Sequence, residues 1–169
     1  AAISSRAPFA VRVTATLGPV GFFPWAPATL ASLVVLAAYQ FLPPLSVVAQ
    51  AVILAAVTWV GTIASTITER ELGLDAHPIV IDEVAGMVVT YLMVPLPEAL
   101  WPRFLVLFTG FAFFRVFDIV KPWPADRLQH LKGGYGIMAD DLMAGIYSNV
   151  ALRIVLALNL LRFVPGFTS

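Results

Sequence analysis

Five carboxylates and two cations stand at spacings that could do chemistry: Asp82-Glu83, Asp118 and Asp140-Asp141, with Arg115 and Lys121 among them. Cysteine is absent and only two histidines occur. The donor set is therefore oxygen alone, which suits a hard cation such as Mg²⁺ and excludes thiolate metal sites, disulfides and a cysteine nucleophile. Adjacent carboxylates repel; a divalent ion relieves that repulsion, and without one a member of each pair would hold a proton. On a helix, Asp140 and Asp141 point about 100° apart, so one is free to bind metal while the other serves the helix start or a second metal. Arg115 and Asp118, three apart, share a helical face, which allows a salt bridge or sets a phosphate-binding cation beside a metal ligand. Gly133-Gly134 and Gly136 would let a loop backbone approach a ligand, with a helix start behind them to receive an anion.

The elements that position these residues are greasy. The chain has 169 residues, of which 60% are hydrophobic and 12% charged, with a formal net charge of zero and a mean hydropathy of +0.90. That composition lies outside the range of soluble domains and predicts a membrane protein, with nothing in the charge balance to suggest nucleic acid. No secretory leader pattern is visible at the start of the sequence.

Residues 1–26 mix Arg6 and Arg12 with small apolar residues, as either a short interfacial helix or an irregular lead-in. Gly and Pro between 18 and 27 predict a loop, with Thr29 or Ser32 capping or lining the next helix. Helices are predicted over 29–41 and 46–66, split by Pro43-Pro44, then over the apolar run 84–94, over 104–120, and from Asp140 to about 163. The expected fold is all-α: one domain over residues 1–169, a compact membrane-embedded helical bundle of about five main helices.

If consecutive helices cross in opposite senses, Glu69, Asp75, Asp82, Glu83, Asp118, Asp126, Asp140 and Asp141 gather at one face, with only Glu98 opposite. Arg6, Arg12, Arg70, Arg115, Lys121, Arg127 and Lys132 gather there too, which makes that face cytoplasmic by the positive-inside rule. Arg153, deep in the last helix, is expected to face a neighbouring helix or an interface. Single features have plainer readings. Asp140 alone reads equally as a helix cap, Gly86 and Ala144-Gly145 as close helix packing, His77 and His130 as surface residues, and Trp123 as an interfacial anchor.

Four blocks together resemble the phosphatidylglycerophosphatase A family: residues 18–32; Ile79-Val80-Ile81-Asp82-Glu83 with Gly86-Met87; Phe114-Arg115 with Asp118 and Lys121-Pro122-Trp123-Pro124; and Gly133-Gly134 with residues 136–138 and 140–145. Ala28 and Ala31 stand where the family usually carries glycine. The resemblance implies a bacterial inner-membrane, Mg²⁺-dependent phosphatase with its site facing the cytoplasm. Its substrate would be the phospholipid phosphatidylglycerophosphate, whose terminal phosphate it would remove to leave phosphatidylglycerol. On that expectation Asp82, Glu83, Asp118, Asp140 and Asp141 are the catalytic and metal-binding residues, and Arg115, Lys121, Lys132, Thr29 and Ser32 bind the substrate phosphate. The rival of another class is a small membrane cation transporter using the same carboxylates. The Asp-Gly and Ala-Arg pattern of lipid phosphotransferases is not found.

Overall fold

The structure, a computed structural model, describes residues 7–72 and 77–164. Its regular elements are helical throughout: α1 (Phe9–Thr16), α2 (Pro27–Phe41), α3 (Val47–Leu72), α4 (Ile81–Tyr91), α5 (Leu100–Val120), α6 (Ala125–Leu128) and α7 (Gly134–Ala157), with single 3-10 turns at Val20–Phe22 and Leu160–Phe163. Among the described residues there are seven α-helices rather than about five, and α2, α3, α4, α5 and α7 overlap the predicted ones. Asp75 and Arg6 lie outside the described residues.

The bundle is built around α4. It packs on α7, α3, α2 and α5, and all but two of its residues are buried. Apolar side chains from α2, α4, α5 and α7, among them Leu36, Met87, Tyr91, Leu107, Phe114 and Leu152, form the larger core cluster. The closest approach is between α4 and α7. A Cβ added to Gly145 would lie 2.4 Å from the Gly86 carbonyl oxygen, and one on Gly86 would lie 2.4 Å from the Phe114 ring and 2.8 Å from the Asp141 carbonyl oxygen. The two backbones touch at this crossing, as small residues permit.

Contacts at the helix ends give the alternating senses that the sequence suggested. At one end, the last turns of α3 meet the start of α7, where Thr66 Oγ1 accepts from the Gly134 amide at 2.9 Å. The start of α2 meets the start of α4 there, through Ser32 and Glu83. At the other end, the end of α2 meets the start of α5 through Gln40 and the Leu100 carbonyl. There too, the Asn149 amide of α7 donates to Val89 O, Thr90 O and Leu92 O, closing the end of α4. Arg153 also serves that end, donating to Asn149 Oδ1, Leu92 O and Met93 O.

Three expectations need correction. The last helix begins at Gly134 rather than Asp140, so Asp140 lies in its second turn and is not its cap. Gly134 and Gly136 lie in that helix rather than in a loop, and a Cβ on Gly134 would fall 2.2 Å from Thr62 O, so this glycine seats α7 against α3. The second helix, predicted from Thr29, begins two residues earlier, with Pro27 in its first turn. In that helical setting alanine at 28 and 31 is a better helix former than glycine would be.

Helix lengths also bear on the membrane reading. Among the described residues α3 alone is long and apolar enough to cross a membrane, by length and composition. The 11 residues of α4 run only ~16 Å against a hydrocarbon core of ~30 Å.

Replacing Gly145 with valine drives a side chain into the Gly86 carbonyl. The expected cost is ~2 kcal/mol, or roughly 4–8 °C of melting temperature, while Ala112→Val on the exposed side of α5 changes little. Thermal unfolding in detergent measures both, and an unshifted Gly145→Val protein would rule out the backbone contact.

Candidate active site

Sequence places Asp82 and Glu83 in the first turn of α4, and the Gly86–Gly145 crossing sets that turn beside the second turn of α7, where Asp140 and Asp141 lie. The end of α5 supplies Arg115 and Asp118, and the residue that follows the helix supplies Lys121, held in the left-handed region at φ 45°. Three helices thus bring the five carboxylates and two cations to one end of the bundle. Asp141 lies within electrostatic reach of all four other carboxylates.

Glu83 is the most firmly held. Its Oε2 accepts from Ser32 Oγ at 2.9 Å, and its two oxygens accept from Arg115 Nη1 at 3.0 and 2.9 Å. The same guanidinium nitrogen pairs with Asp118 Oδ2 at 3.0 Å, the i,i+3 bridge that the sequence spacing allowed. Lys121 Nζ donates to Asp140 Oδ2. Burial disfavours the Lys121 charge, but its hydrogen bond and attraction to Asp140, with attraction to Asp118 and Asp141, outweigh burial and hold the ammonium above its ordinary pKa.

After these pairings, three oxygens remain buried without a hydrogen-bond partner: Asp82 Oδ1, Asp140 Oδ1 and Asp141 Oδ2. Five carboxylates beside Arg115 and Lys121 carry a formal excess of three negative charges in a partly desolvated space. Such a cluster must take up protons or a cation. The donor chemistry of the three free oxygens fits a hard divalent ion. Among the described residues no three acidic or histidine side chains stand as a ready-made ligand cage, so the three oxygens share one end of the bundle without being assembled into a metal site.

The remaining sequence candidates divide. Ser32 is fully buried and holds Glu83, so it is bound to the cluster rather than open to a ligand. Thr29 lies half-buried one helical turn before it. Lys132 is exposed, on the rim of a cleft of about 460 Å³ that it shares with Glu69, His130 and the cluster's Asp140. His77 and His130 are exposed, as expected of surface residues. Asp126 was grouped with the acidic face but not with the site, yet its Oδ1 is also buried without a partner; only its isolation in the short α6 kept it from notice. Ser65 and Thr68, one turn apart on α3, are fully buried with unpartnered hydroxyls. In sequence they look like ordinary small residues of an apolar helix.

Fold and site together define an all-helical protein with a buried carboxylate–arginine–lysine cluster where several helix ends meet. The sequence profile of phosphatidylglycerophosphatase A matches residues 13–156, and the chain belongs to that family. It is 35% identical over 139 residues to a Bacteroides thetaiotaomicron protein provisionally named a phosphatidylinositol-3-phosphatase, covering 79% of this chain and 86% of that one. It is 40% identical over 85 residues to the Escherichia coli phosphatidylglycerophosphatase A, covering 48% of this chain and 45% of that one. With the Haemophilus influenzae phosphatidylglycerophosphatase A the identity is 34% over 87 residues, half of each chain. No solved structure matches.

Removing Arg115 leaves Glu83 and Asp118 without their cation. Arg115→Met is expected to lose about 3 kcal/mol, and Arg115→Met with Glu83→Met to recover part of that loss. Chemical unfolding of the two variants and the Glu83→Met protein completes the cycle; a double variant whose loss equals the sum of the two single losses would show that the pair is not coupled.

Proposed function

We propose that the chain is a Mg²⁺-dependent lipid phosphatase that hydrolyses the terminal phosphomonoester of phosphatidylglycerophosphate to phosphatidylglycerol and phosphate. The observation that carries this reading is the meeting of Asp82, Glu83, Asp118, Asp140 and Asp141 with Arg115 and Lys121 in a member of the phosphatidylglycerophosphatase A family. Transport of cations through the same carboxylates fits less well, because they cluster at one end of the bundle rather than midway along it.

Asp82, Asp140 and Asp141, with their unpartnered oxygens, are the residues that would hold the ion. Bound there, Mg²⁺ would supply positive charge to the phosphoryl oxygens and an orientation for water. Glu83 and Asp118 have a different part: both grip Nη1 of Arg115, so that the rest of the guanidinium is presented in one orientation to a phosphate. Lys121 adds a second cation near Asp140. A carboxylate not engaged with the ion takes the proton of the attacking water as the new P–O bond forms. The P–O bond to the glycerol oxygen then breaks, and that oxygen receives a proton.

Membrane placement is part of the same proposal. Large apolar side chains are exposed on the helix flanks, including Phe9, Phe41, Val48, Trp59 and Ile119. Trp25, Trp123 and Tyr135, exposed near the site end, suit a membrane–water interface. Basic residues Arg12, Arg70, Arg127 and Lys132 lie towards that end, which supports a bacterial inner-membrane protein working on the cytoplasmic leaflet.

The test is phosphate release by purified protein in detergent, with Mg²⁺ and with a chelator, from phosphatidylglycerophosphate and from phosphatidylinositol 3-phosphate. Phosphatidylglycerophosphate should be hydrolysed only with the ion, and Asp141→Asn should lower kcat by about 10²-fold or more while remaining folded. Preference for phosphatidylinositol 3-phosphate would transfer the reading to the substrate named for the Bacteroides relative. No release from either by folded protein would refute it.

A further inference from the structure

The helices α2 and α3 follow one another in sequence and both pack on α4, yet they flank it instead of packing on each other. Between them lies a cavity of about 360 Å³, walled by Val35 and Tyr39 of α2 and Ile53 of α3 and floored by Val84, Val88 and Tyr91 of α4. The three floor residues recur at i, i+4 and i+7, so they form one stripe about 10 Å long along the helix. The volume falls within the range of ligand-sized clefts, ~300–1,000 Å³.

Two features relate this space to the carboxylate cluster. Val84 directly follows Glu83, and Ser32, which donates to Glu83, lies one turn before Val35. The apolar space therefore begins where the polar clamp ends. At its far end Arg103 also lines it, its guanidinium donating to Pro97 O at 2.8 Å and Gln40 O at 3.4 Å, so a polar group closes that end. At the side, Val34, Leu42, Leu45 and Ile53 line the cavity and are exposed, which leaves a lateral mouth between α2 and α3.

We propose that this cavity holds one acyl chain of the lipid whose phosphate is cleaved, entering sideways between α2 and α3. The proposal deepens the phosphatase reading and rests on it. A polar head at the α4 start and an apolar slot running from it along α4 match the two ends of a phospholipid. The chain of the substrate, rather than of a resident lipid, is the occupant because the slot starts at Val84 and Val35, next to the Glu83–Ser32 clamp.

Ala38, half-buried on the α2 wall, is the position at which a larger side chain fills the slot without touching the cluster. In Ala38→Phe, kcat/KM for a dipalmitoyl substrate should fall at least tenfold, while that for a dibutanoyl substrate with the same headgroup changes less than twofold. An equal fall for both, or none for either, would overturn the proposal. Parent protein provides a measurement that needs no variant: a phosphatidylglycerophosphate analogue with a diazirine in mid-chain, irradiated on the protein and mapped by mass spectrometry. The label is expected on peptides carrying Tyr39, Ile53 or Val88, and long-chain substrate should displace it. Label elsewhere, or cavity label that substrate does not displace, as a resident lipid would give, contradicts the proposal. Displaceable cavity label in a protein that releases no phosphate would uphold the acyl site and sink the phosphatase reading alone.

Discussion

The backbone contact between α4 and α7 at Gly86 and Gly145 is the constraint on which the rest of the structure depends. A side chain on Gly145 would meet the Gly86 carbonyl, and one on Gly86 would meet Phe114. Because these positions carry no side chain, the first turn of α4 and the second turn of α7 lie side by side. Each of those turns carries an adjacent pair of acids. Packing therefore creates an electrostatic problem that neither helix has alone, and the polar structure nearby answers it.

The answer is uneven, and the unevenness carries the functional meaning. Glu83 is satisfied by Ser32 and Arg115, Asp118 by the same guanidinium nitrogen, and one oxygen of Asp140 by Lys121. A purely structural network would pair the remaining oxygens as well, since leaving buried polar atoms unpartnered is costly. Instead one oxygen each of Asp82, Asp140 and Asp141 is left without a hydrogen bond. Arg115 and Lys121 are fixed beside them, ready for an anion, while the unpaired oxygens suit a cation. On the proposed reading, a metal ion and a phosphate would together meet both demands.

Much of this was legible in the sequence because helices in apolar chains are punctuated by proline and by charge. Pro43-Pro44 and Pro95 separate the elements about where the structure does, and alternating helix senses were enough to bring the acids to one end. The errors lie where a residue has two physical uses. Gly133-Gly134 reads as a loop by composition, but Gly134 is needed for contact with Thr62 on α3, so α7 begins six residues before Asp140. The polar residues 69–72 read as a connection, yet α3 continues through them, with Glu71 accepting from Arg12 of α1. Partner choice within the cluster was not legible, because the grip of Ser32 on Glu83 joins residues 51 apart in sequence. Nor does composition distinguish a span from a shorter helix: α4 is as apolar as its neighbours but far too short to cross.

The central claim is that the α4–α7 crossing makes a cation-demanding carboxylate site, and binding of a divalent ion tests it most directly. Titration of the detergent-solubilised protein with Mn²⁺ as a spectroscopic stand-in for Mg²⁺, followed by electron paramagnetic resonance, reads binding without any substrate. The account predicts saturable binding that Mg²⁺ displaces and that Asp82→Asn weakens at least tenfold in a protein with unchanged helical content. Folded parent protein that binds no Mn²⁺, or an Asp82→Asn protein that binds it as well as the parent, would contradict it.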